Sequence, residues 1–163
     1  MSAEVTVFPR RPQSEDRLVL DDYLPYRLSV ASNAVSRLIA RAYEDRFGLS
    51  IPQWRLMAVL AQDGALTPGA LVARTAMDKV TISRAAQGLL KRHLIGRVAH
   101  EADGRSHRLS LTAEGQRLHA DIAPLALAYE ATLLAGLAPG EVAAMKTLLV
   151  RLETAANKLA GEG

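Results

Sequence analysis

Lys79, Ser83, Arg84, Gln87 and Lys91 stand at spacings that place them along one side of a helix, opposite Ile82, Ala86 and Leu89, which recur at intervals of 4 and 3. Arginine and lysine can bind guanine O6 and N7 or a phosphate, glutamine pairs with adenine, and serine serves either base. By periodicity alone, the same division describes an ordinary amphipathic surface helix with solvated charges. The flanking elements have to decide between the two.

Other groups of reactive type are less organised. His93, His100 and His107 carry imidazoles, yet the sequence has no cysteine and no acidic cluster at ligand spacing, so phosphate contact or plain exposure is expected and no metal or cofactor. Without cysteine, disulfides and thiol redox sensing are excluded. Gly104 and Gly115 stand apart and form no phosphate-binding loop, no Ser-His-Asp grouping occurs, and Asp21-Asp22 and Glu44-Asp45 read as solvated helix ends. No enzyme is expected. Tyr26, Ser29, Asn33 and Trp54 fit two descriptions equally: polar residues lining a pocket for an aromatic acid or its thioester, or close-packing residues around a core tryptophan.

The elements that must position these groups follow from period and punctuation. A length of 163 residues with 49% hydrophobic content suits one compact domain with helical extensions. After an aperiodic stretch over 1–22 that reads as a mobile tail, a long helix follows Pro25 and ends at Gly48. Its Leu24, Leu28, Ala31, Val35, Leu38 and Ala42 make a coiled-coil-like stripe. Ser50 caps a second helix, Thr67 with Pro68 opens a short third, and Asp78 caps a fourth running to Arg92. Two short capped helices joined by Thr75-Ala76-Met77 make a helix-turn-helix.

The period then changes: 94–101 and 106–111 flank Ala102-Asp103-Gly104-Arg105 and read as a β-hairpin, with His107 outward, Leu109 and Leu111 inward, and Arg108 and Ser110 on the other face. Thr112 caps a helix interrupted at Pro124 and continuing to Ala135, and Pro139 opens a last one with Val142, Met145, Leu148, Leu149 and Leu152 on its apolar face. From Thr67 to Thr112, eight Lys/Arg against three Asp/Glu leave a local charge of +5 on a chain of net +3. A basic hairpin beside the helix-turn-helix favours a polyanion-binding module over a solvated face.

Four stretches, Ser50–Leu60, Leu66–Arg74, Met77–Arg84 and Asp103–Thr112, resemble the MarR family of bacterial regulators. The most specific parts are Asp78-Lys-Val-Thr-Ile-Ser-Arg84 and the Asp103-Gly-Arg105 hairpin tip ending in Leu111-Thr112. The resemblance implies a mainly α fold with a small β-hairpin wing: a winged helix-turn-helix over 49–112 and a helical dimerisation arm over 23–48 and 113–160. It implies that Thr67 and Pro68 begin the positioning helix, that Lys79, Thr81, Ser83 and Arg84 face the major groove, and that Arg105 enters the minor groove with Asp103 holding it. Gln87 and Arg108 join the same DNA face. His93 departs from the family pattern, which commonly has glycine after the recognition helix; His tolerates a left-handed backbone better than most residues. Family members often place effectors between arm and winged helix, where Tyr26, Ser29, Asn33 and Trp54 would lie.

The expected function is therefore a homodimeric, ligand-responsive repressor on double-stranded DNA, reading a palindromic operator and released by a small aromatic or organic-acid effector. An effector-independent architectural DNA-binding protein is the alternative, separable by footprinting one palindrome or uniform salt-sensitive coverage. A cytoplasmic location without membrane contact is expected: Arg10-Arg11 precede no hydrophobic run, and 122–137 is too short and polar to span a bilayer.

Overall fold

The computed structural model describes residues 17–99 and 107–161. The described residues form two compact units, one over Leu20–Tyr129 and one that takes in 17–19 and 130–161.

The first unit opens with a 3-10 turn, Leu20–Asp22, and helix α1, Leu24–Phe47, which Gly48 ends in the left-handed region at φ 61°. Helix α2, Ile51–Asp63, starts on a reciprocal cap: Ser50 Oγ accepts from the Gln53 N–H and Gln53 Oε1 accepts from the Ser50 N–H. Helix α3, Pro68–Thr75, is capped by Thr67, and α4, Lys79–Lys91, by Asp78. Strands β1, Ile95–Ala99, and β2, His107–Leu111, pair antiparallel with Arg97 opposite Leu109 and Val98 opposite Arg108. Helix α5, Ala113–Leu134, follows and passes through Pro124 without a break.

The hairpin has a partner that no sequence period announced. Leu66, between α2 and α3, exchanges both backbone hydrogen bonds with Leu109, at 3.0 and 2.8 Å. That bridge fixes the wing to the start of α3, so wing and helix-turn-helix share one frame.

Leu49, Leu56, Met57, Leu71, Leu89, Ile95 and Ile122 are the fully buried centre. The α1 residues packed on this core are Ile39, Tyr43 and Phe47, offset from the Leu24–Ala42 stripe. Leu24 and Leu38 of that stripe remain about half exposed, at 56% and 46%.

In the second unit, the end of α5 is followed by α6, Pro139–Gly161, which buries no residue. Lys146 pairs with Glu130 at 3.2 Å, and Leu133, Met145, Leu148, Leu149 and Leu152 all stay exposed. Among the described residues no single helix is long and apolar enough to cross a membrane.

Candidate nucleic-acid interface

Helix α4 begins where α3 ends because of three residues. The Thr75 hydroxyl donates to the Leu71 carbonyl at 2.6 Å and accepts from the Met77 N–H at 3.3 Å. Ala76 between them takes φ 52°, a left-handed residue that ends α3. Asp78 then accepts from the Thr81 N–H at 2.8 Å and from the Thr81 hydroxyl at 2.6 Å, contacts that pull its carboxyl below the usual range. Thr81 thus spends its hydroxyl proton on the cap, leaving only acceptor capacity for an outside partner.

Ile82, Ala85, Ala86 and Leu89 are buried, so the helix is anchored along one side, while Lys79, Val80, Ser83, Arg84, Gln87 and Lys91 are exposed. The exposed side opens onto two clefts. One, about 620 Å³, brings Pro68, Lys79, Ser83 and Gln87 together with Arg97 and His107 of the hairpin. The other, about 260 Å³, sets Thr81 and Arg84 beside the capped start of α2 at Ser50, Pro52 and Gln53. Arg108 is exposed on β2, and Thr67 holds the first turn of α3 through the Ala70 N–H at 3.2 Å. Asp103, Arg105 and His100 lie outside the described residues.

Two contributors escaped sequence reasoning. Val80 is 58% exposed on the first turn of α4, out of phase with Ile82 and Leu89, and that phase was its only signal. Arg97 joins the cleft because its register partner, Leu109, is tied to Leu66. The wing leaves α4 through His93 at φ 56°, the left-handed geometry expected for the residue standing in for glycine. The Thr112 hydroxyl donates to the His93 carbonyl at 2.7 Å and accepts from the Gly115 N–H at 3.1 Å, so one residue both caps α5 and holds that turn.

Of the four residues considered for a pocket, Tyr26, Ser29 and Asn33 are exposed on α1. Trp54 is half-buried against the core, between the rings of Tyr43, centroids 5.2 Å apart, and His119, stacked at 5.3 Å. Burial pushes the His119 imidazole below its usual value. The unfolded chain therefore takes up this proton first as pH falls, so stability held above about pH 6.5 is lost below it, until the folded imidazole also protonates. The wild type should melt at lower temperature near pH 5.5 than near pH 7.5, and His119→Gln should reduce that difference. Trp54 is the only tryptophan, so its emission should titrate with a midpoint below about pH 6.5; a higher midpoint contradicts the assignment.

A solvent-facing cationic helix on a buried base, set in a helix-turn-helix with a pinned hairpin beside it, defines a winged-helix DNA-binding regulator. The MarR family model matches residues 47–106. An uncharacterised HTH-type transcriptional regulator of Mycobacterium bovis is 31% identical over 98 residues, 60% of this chain and 68% of that protein. A MarR family regulator from Silicibacter pomeroyi is 27% identical with a TM-score of 0.75, over 85% of this chain and 93% of that one. Bordetella bronchiseptica BpsR, whose DNA binding is regulated by 6-hydroxynicotinic acid, superposes with a TM-score of 0.78 at 23% identity, over 85% and 98% of the two chains. The chain belongs to the MarR family of transcriptional regulators.

Proposed function

We propose that the chain is a homodimeric repressor that holds α4 in the major groove of a palindromic operator and is released by a small aromatic or organic acid. The observation that carries this reading is the division of α4, with Ile82, Ala86 and Leu89 buried and Lys79, Ser83, Arg84 and Gln87 exposed. Thr67 and Pro68 set the angle of the helix, Thr81 locks its first turn, and Val80 offers an apolar contact to a thymine methyl. Arg108 adds positive charge from the wing, and the family resemblance assigns the minor-groove contact to Arg105 with Asp103 as its partner. In a two-fold dimer the two copies of α4 meet half-sites about 34 Å apart.

BpsR supports a small-molecule effector by likeness of fold, and an organic acid suits a chain that has no thiol for sensing oxidants. Tyr26, Ser29, Asn33 and Trp54 are the residues proposed to line its pocket. Such a ligand lowers DNA affinity only by favouring a recognition-helix spacing that mismatches the operator. The site of action is the cytoplasm.

Titration of Arg84→Ala on a palindromic duplex selected from a random library, and on a scrambled duplex, tests base readout. The expected loss is about 1–3 kcal/mol on the selected duplex and far less on the scrambled one. Equal losses on both would reduce α4 to backbone positioning.

A further inference from the structure

Arg92 belongs to the basic segment, yet its guanidinium is turned onto protein. As the C-cap of α4 it donates its backbone N–H to the Gly88 carbonyl. Its side chain reaches α1: Nη1 donates to the Gly48 carbonyl at 2.8 Å and Nη2 to the Phe47 carbonyl at 3.0 Å. These two carbonyls close α1, where the chain turns left-handed at Gly48 and the final carbonyls have no donor within the helix. The end of a helix dipole is negative there, so a cation is favoured. A planar fork can serve two adjacent carbonyls at once, whereas a lysine ammonium is a point charge on a flexible stem.

We infer that Arg92 is a positioning residue for DNA recognition, a strut that fixes the C-terminal end of α4 to the C-terminal end of α1 and makes no phosphate contact of its own. The inference rests on α4 being the DNA-facing helix and adds how that helix is held. Beside it lie the local bonds of the turn that ends α4, from the His93 N–H to Leu90 and the Leu94 N–H to Leu89, and the grip of Thr112 on the His93 and Leu94 carbonyls, none of which reaches α1. Arg92 thus joins the last turn of α1 directly to the end of α4, in addition to the apolar core that both helices share.

The rival role for an exposed arginine in this segment is a phosphate contact, and the two roles respond oppositely to lysine. The full-length wild type, Arg92→Ala, Arg92→Lys and, as a control, Arg84→Ala are titrated on the selected palindromic duplex between about 50 and 200 mM salt. The strut requires both Arg92 variants to lose about tenfold in affinity, with the slope of log K against log salt unchanged from wild type. Wild-type affinity in Arg92→Lys together with a slope lower by about one in Arg92→Ala overturns it in favour of a phosphate contact. No loss in either variant overturns it as well. If Arg92→Ala does not fold, Arg92→Lys, which keeps the charge and most of the stem, decides by the same criteria. Absence of a loss in Arg84→Ala fails the reading of α4 itself, a result recorded independently of Arg92.

Discussion

Gly115→Ala is expected to destabilise the protein by about 1–3 kcal/mol, although alanine is the better helix former by about 1 kcal/mol in a helix interior. A Cβ at this position would stand 1.9 Å from the Leu94 carbonyl oxygen and 3.0 Å from its carbon. Both are backbone atoms, and they are held: that oxygen accepts from the Thr112 N–H at 3.1 Å while the Thr112 hydroxyl grips the His93 carbonyl. Relief requires α5 to lift away, which breaks the Thr112 ties and loosens the exit from α4. Overpacking of about 1–3 kcal/mol plus a lost hydrogen bond of about 1 kcal/mol outweighs the gain in propensity. Urea unfolding checks this, and a variant as stable as wild type would mean that α5 does not enter over Leu94. DNA affinity should fall with stability, since the wing leaves through the same turn.

Leu149→Asp separates a free α6 from a covered one. Leu149 is 47% exposed in the protomer, so an aspartate there would cost within about 0.5 kcal/mol if the chain stood alone. The proposed dimer covers it together with Met145 and Leu152, and an unpaired buried carboxylate costs about 3–5 kcal/mol. The expected result is dissociation in sedimentation, accompanied by a lower melting temperature, because such protomers rarely persist folded alone. A variant that sediments and melts like wild type removes α6 from the seam, and a folded wild-type monomer at micromolar concentration removes the dimer.

Most elements were legible because their signals are local. Ser50, Thr67 and Asp78 cap the helices expected of them through side-chain contacts only three residues long, which a sequence displays directly. The division of α4 was equally plain, since a helix of known phase needs no partner to say which residues share a side. The strained turn at His93 was readable from what replaces the expected glycine, whereas Ala76 at φ 52° carries no such mark. Pro124 was expected to interrupt α5; one missing N–H at an exposed position was absorbed and the helix continued.

What the residues determined by themselves was the set of elements, the basic character of the winged segment and the identity of the exposed side chains on α4. Each follows from periodicity, capping or composition, which act within one or two turns of chain. Tertiary structure alone decided which residues meet. Leu66 became a strand partner of Leu109, Trp54 was sandwiched between Tyr43 and His119, Ile39 and Tyr43 rather than the Leu24–Ala42 stripe were packed on the core, and Arg92 was spent on α1. These contacts join residues 11 to 65 positions apart, and only the burial of one common core selects among the many pairings that local rules permit.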